Sequence, residues 1–245
     1  MLSEVEQRGL ISGLDAAFTT GYATRGNLTK VSRYLLPAGT ALSGYSQYDI
    51  AGNVLQTIDP RGYATELRYE DRFGSADGDA QANNPPNELA SQSQASFAFV
   101  TKVINALNQT AYSQYDYYTG QPVDGEDANG TVASGYYGDA LDRPTQVIRG
   151  SNRDVSYQSQ TTFAYDDAGR TITTTSDRDY FNDNILKGKI LYDGLGRTFE
   201  TRQYEGGTNY IATRRQYDSM GRAYKTSNPY RPLSPDSENP VWTTS

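Results

Sequence analysis

A chain of 245 residues with 22 basic and 29 acidic side chains carries a net charge of −7 and a pI of about 4.7. With no basic run longer than Arg214-Arg215, that balance argues against nucleic acid as a partner, because neutralised phosphate supplies most of the affinity for it. Cys and His are absent, which excludes a Ser-His-Asp triad, a Cys nucleophile, a Cys/His zinc site and disulfides, and no apolar run of about 18 residues is present to span a bilayer.

The hydrophobic fraction is 36% and the mean hydropathy −0.72, yet there are 21 Tyr. Burial is therefore expected from amphipathic rings that cover apolar neighbours and keep a hydroxyl in water. Residues 1–12 are expected to form a short helix with Leu2 and Val5 on one face, weakened by Gly9. Glu4 and Glu6 stand where a signal peptide would be basic and then apolar, so none is visible.

Tyr22-Ala23-Thr24-Arg25-Gly26-Asn27-Leu28 is a degenerate form of a pattern first seen complete in Tyr48-Asp49-Ile50-Ala51-Gly52-Asn53-Val54. An Asp just after a strand accepts bonds from its own backbone in a tight turn, and a Gly three residues on tolerates the positive φ that closes it. The apolar run after Gly52 then reads as the return strand of a hairpin. Asp59-Pro60-Arg61-Gly62 is a second turn signature, so one unit supplies strand, turn, strand, turn.

Residues 75–96, rich in Gly, Asp, Asn, Gln and Ser with Pro85-Pro86, read as a long exposed loop or insertion. Tyr69-Glu70-Asp71-Arg72-Phe73-Gly74 before it is a poorly marked unit. Strand texture resumes over residues 97–104, and residues 105–109 make the turn before Tyr115-Asp116, whose glycine, Gly120, comes one place late. Asp127-Ala128-Asn129-Gly130 replaces Asp-Pro-x-Gly, and Gly138-Asp139-Ala140-Leu141-Asp142-Arg143 keeps the frame with Gly for Tyr and Asp for Gly.

Three copies then follow: Tyr165, Asp166, Gly169, Arg170; Tyr192, Asp193, Gly196, Arg197; and Tyr217, Asp218, Gly221, Arg222. The clearest hairpins span residues 161–175 and 188–204, where β-branched and aromatic residues alternate with period two. Residues 228–232 form a Pro-containing loop, and residues 241–244 start a further strand. The repeat recurs about every 25 residues, the mark of an array that grows along one axis, and the chain is expected to end within that array. The expected organisation is an N-terminal segment 1–19, repeats 20–74, the polar insertion 75–96, repeats 97–227, and a Pro-rich loop with the start of a further repeat over 228–245.

The frame Tyr-Asp-x-x-Gly-Arg/Asn followed by Asp-Pro-x-Gly, carried by residues 48–62, 165–170, 192–197 and 217–222, resembles the YD repeat of the RHS (rearrangement hotspot) family over roughly residues 20 to 245. The resemblance implies an all-β fold of tandem hairpins forming a spiralling sheet, part of a shell that in toxin members encloses a carboxy-terminal effector. It implies as partners the remainder of a longer RHS protein or its effector domain, and a secreted or cell-surface location as part of that protein. The aspartyl self-cleavage segment that follows the repeats in those relatives is not found here, and catalysis is not carried onto Asp59, which lies in a repeat turn.

The expected function is accordingly structural and non-enzymatic: wall that encloses or presents a toxin or adhesive partner domain. The alternative is a surface module for carbohydrate or adhesion. No catalytic, metal or cofactor residue is assigned. Asp166-Asp167 resembles a glycosidase acid pair, but Asp recurs at that place in the other Tyr-Asp repeats, as a turn residue would. Asp124-Gly125-Glu126-Asp127-Ala128-Asn129-Gly130 hints at a calcium loop, yet Ala128, Asn129 and Gly135 miss the required ligand, glycine and closing Glu. The repeat tyrosines are expected to pack ring on ring in a ladder. Tyr230 and Trp242, outside the repeat positions, are the candidate ligand surface.

Overall fold

The computed structural model describes residues 15–22, 24–91, 95–233 and 237–244. The helix expected over residues 1–12 lies outside them. Among the described residues, helix is limited to one turn, α1 (Asn87–Ala90), and two 3-10 turns at Ala16–Phe18 and Val155–Tyr157. All else that is regular is strand.

Two compact units divide the chain at Ser134 and Gly135, within β8. The first holds β1 (Lys30–Leu35), β2 (Thr40–Tyr48), β3 (Val54–Ile58), β4 (Ala64–Arg68), β5 (Lys102–Ile104), β6 (Thr110–Tyr115), β7 (Pro122–Glu126) and the start of β8 (Val132–Tyr136). The second holds β9 (Gln146–Arg149), β10 (Ser159–Asp166), β11 (Thr171–Ser176), β12 (Leu186–Tyr192), β13 (Thr198–Gly206), β14 (Asn209–Tyr217), β15 (Ala223–Ser227) and β16 (Trp242–Thr244). Within each unit, strands that follow in sequence pair antiparallel as neighbours in one open sheet. Most of the connecting turns are a few residues long and leave no other partner within reach, while β4 and β5 pair across a long excursion. Tandem hairpins are thus the observed architecture. The strand expected over 97–104 is shorter, Lys102–Ile104, because Phe97 adopts a positive φ of 48°.

The core is small and mixed. In the first unit Ile50, Leu55, Phe73, Ala80, Val123 and Val132 are buried, but so are Asp49, Thr101, Gln114 and Asp124. In the second, Ala212 and Tyr230 are buried beside Glu200. A buried polar group is costly unless bonded. Glu200 meets Arg202 and Arg214 at 2.5 Å each, and the Asp124 carboxylate accepts the Ser134 hydroxyl and the N–H groups of Asp77 and Gly78 at 3.0 and 3.1 Å. Burial nevertheless pushes the Asp124 carboxyl above its ordinary pKa.

Most described residues of 75–96 are exposed, as their composition suggests, yet the segment is tied to the sheet. It belongs to a long excursion between β4 and β5 that folds back on the first unit. Phe73 makes a parallel bridge to Tyr115, Gln81 donates to Glu126 at 2.7 Å, and Gln114 donates to the Ala82 carbonyl at 3.0 Å. Asp71 receives Ser96 through both its N–H and its hydroxyl. Ala80 is completely buried and Phe73 nearly so. Hydrogen bonds of this kind tie a segment with little apolar content to the sheet.

Candidate functional site

The repeated corner is built from its aspartate. Asp193 Oδ1 accepts the N–H groups of Leu195 and Arg197 at 2.9 and 3.0 Å, while the Asp193 N–H donates to the Arg197 carbonyl at 2.9 Å. Gly196 N–H donates to the Asp193 carbonyl at 3.1 Å, and its φ of 75° is one that a β-branched side chain cannot adopt without strain. The same four bonds recur around Asp49, Asp59, Asp127 and Asp218. Asn105 makes them as well, with Asn108 in the glycine's place at a φ of 59°. Both turns of a repeat therefore use one geometry. At Asp116 the loop is a residue longer, closing through Gly120 N–H to the Asp116 carbonyl at 2.9 Å.

A one-residue bulge follows four of the Tyr-Asp turns. The register slips at Tyr48, Tyr115, Tyr192 and Tyr217, which pair with Val54, Pro122, Thr198 and Ala223. The extra residues are Leu55, Val123, Phe199 and Tyr224, all apolar or aromatic. A bulge re-aims the side chain at the point where pairing slips.

Among the described residues the repeat tyrosines do not stack on one another in the expected ladder, and most of their hydroxyls are bonded to backbone. Each of five donates its Oη to a backbone carbonyl one hairpin upstream: Tyr48 to Leu28, Tyr69 to Val54 and Tyr115 to Val100, each at 3.1 Å, Tyr165 to Pro144 at 2.8 Å and Tyr217 to Thr198 at 2.7 Å. The residue just before the accepting carbonyl covers the ring in three cases. Arg143 lies 4.0 Å from the Tyr165 centroid and Arg197 4.4 Å from that of Tyr217. Phe99 stacks on Tyr115 at 4.4 Å. Tyr69 takes the same bond as its better-marked siblings, so the long excursion occupies the turn of its repeat.

These contacts engage the acids. The Arg143 side chain lowers the Asp139 carboxyl to a pKa of about 2. The backbone N–H groups of Arg197 and Arg222 are the largest cause of the lowered pKa of Asp193 and of Asp218. Asp166 accepts Gly169 N–H at 2.7 Å, and Asp167 is gripped by Arg143 at 2.8 and 3.0 Å. Among the described residues no group of three acids is placed to share a metal ion. Asp183, unmarked in the sequence reading, is pushed up by burial but brought down to about 2 by the N–H groups of Asp179, Tyr180, Arg178 and Ile185.

Tyr230 is only 4% exposed and bridges Ala212 through both backbone groups. Its ring is thus core rather than a ligand surface. Trp242 is half-buried on β16, opposite Ser227. The arrangement as a whole is a device for joining hairpin to hairpin.

The chain matches no protein-family model and no curated protein. Among solved structures it is similar to the TcdB2-TccC3-Cdc42 crystal structure, with a TM-score of 0.53 and 16% identity over 84% of this chain and 10% of that one. The TcdB2-TccC3 crystal structure gives a TM-score of 0.55 at 14% identity, again over 84% of this chain and 10% of that one. The chain thus spans about a tenth of these chains, which are RHS-repeat proteins of toxin complexes. At such identity the likeness is one of fold, and the fold is that of a stretch of repeat sheet.

Proposed function

We infer that this chain is a section of an RHS-type repeat array whose role is structural: it supplies wall to a β-shell that encloses or presents a toxin or adhesive partner domain. The observation that carries the reading is the link from five tyrosine hydroxyls to the preceding hairpin, those of Tyr48, Tyr69, Tyr115, Tyr165 and Tyr217. It commits the most reactive-looking residues to holding a sheet together. The fold shared with TcdB2-TccC3 supports the same reading. No enzymatic step is assigned, and any export belongs to the larger protein.

The test is to express the longest reading frame that contains this segment and digest it with a broad-specificity protease. A downstream domain that stays intact while the wall is native, and is cleaved once Gly196→Val and Gly221→Val weaken it, supports the shell. Equal cleavage in both forms overturns it.

A further inference from the structure

We propose that a cleft beside Tyr192 is a seat for an arginine side chain brought by a partner polypeptide. In this second unit a cleft of about 270 Å³ is lined by Arg143, Asp166, Asp167, Arg170, Tyr192 and Asp193, among others. The two other Tyr-Asp-x-x-Gly-Arg tyrosines of the unit are each covered by a guanidinium, at 4.0 Å over Tyr165 and 4.4 Å over Tyr217. Over Tyr192 there is none among the described residues. The arginine that sequence position assigns to the task is Arg170, whose backbone lies in the left-handed region at φ 52° and whose carbonyl accepts the Tyr192 N–H at 2.9 Å. Its side chain does not stack on the ring, and the Tyr192 hydroxyl makes none of the upstream bonds of its siblings.

The occupant follows from the neighbours. An aromatic face with carboxylates at its rim attracts a planar cation. Asp167 and Asp193 are already held by Arg143 and Arg197, but Asp166 has no ion pair among the described residues. One guanidinium would stack on Tyr192 as Arg197 does on Tyr217, with Asp166 as its counter-ion. This assignment does not depend on the shell reading.

The probe is N-acetyl-arginine amide, titrated into the isotopically labelled full chain with the Tyr192 ring resonances as readout. The expected result is a saturable shift confined to Tyr192 and its cleft. N-acetyl-citrulline amide, which lacks the charge, should bind roughly fivefold more weakly, and Tyr192→Leu should abolish the shifts of the cleft residues Thr171, Ile172 and Gly194. No saturable shift, an equal response to citrulline, or matching shifts at Tyr165 and Tyr217 would overturn the assignment. A response that emerges only after Arg170→Ala also overturns it, since the chain's own arginine then fills the cleft. Should Tyr192→Leu fail to fold, the arginine and citrulline titrations of the unaltered chain decide the matter.

Discussion

The hairpins at Asp193 and Asp166 share the words Tyr-Asp-x-x-Gly-Arg-Thr and adopt different structures. At Asp193 the glycine takes the left-handed φ, the return strand bulges, and Arg197 reaches the ring of Tyr217. At Asp166 the strands stay in register to the pair Asp166 and Thr171, the left-handed residue is Arg170, and no arginine reaches Tyr192. The loops differ at two positions, Asp167 against Gly194 and Ala168 against Leu195, and the first carries a contact to another repeat. Asp167 is clamped by Arg143 of the preceding repeat, whereas Gly194, its counterpart, offers nothing to hold. A contact from a neighbouring repeat is thus associated with the change of loop, and the altered loop leaves the next tyrosine uncovered. Repeats in register are therefore not interchangeable.

Substitutions at matched positions test this contrast. The largest effect is expected at Gly196→Val, where strain at positive φ should cost about 2 kcal/mol in urea unfolding. Gly169→Ala should cost less: its Cβ would meet the Asp166 carboxylate at 2.1 Å, but a carboxylate at the end of a side chain can turn away. Equal costs for the same valine substitution, Gly169→Val and Gly196→Val, would show that the loops do not differ in their demands.

Tyr217→Phe removes a 2.7 Å bond to the Thr198 carbonyl and should cost roughly 1 kcal/mol, whereas Tyr192→Phe should leave the unfolding midpoint where it is. Arg197→Ala strips the cover from Tyr217 and should cost about 0.5 to 1 kcal/mol. Arg170→Ala should be neutral. A penalty at Arg170 matching that at Arg197 would show that the two arginines do the same job.

The smallest single effects are expected at the acids, read as a slope with pH. Asp139, Asp193 and Asp218 have folded pKa values below the unfolded one. Their stabilisation is therefore full above about pH 4 and lost as pH falls toward about 2, the folded value of Asp139. Asp124 acts in the opposite sense, because its raised value makes the folded state bind its proton first. Asp193→Asn keeps an acceptor for the turn and should be mild at pH 6, yet it should flatten the loss of stability below about pH 4 followed by circular dichroism. An unchanged slope would mean that Asp193 is not linked to folding.

What the sequence determined by itself was local. Asp-x-x-Gly fixes a turn through bonds that span no more than four residues, and alternation fixes which segments become strands, so tandem hairpins could be read from the chain. What only the tertiary structure decided lies farther apart. The tyrosine hydroxyls reach carbonyls 15 to 21 residues away, a polar segment is tied to the first unit because Asp124 and Gln114 bond to it, and Tyr230 is core because it lies along Ala212. The left-handed residue at Arg170 belongs with these, in a loop whose Asp167 is bound by Arg143 from a repeat away. Tyr-Asp spacing records where each corner is, but the contacts that clamp one corner to the next arise only when the hairpins pair.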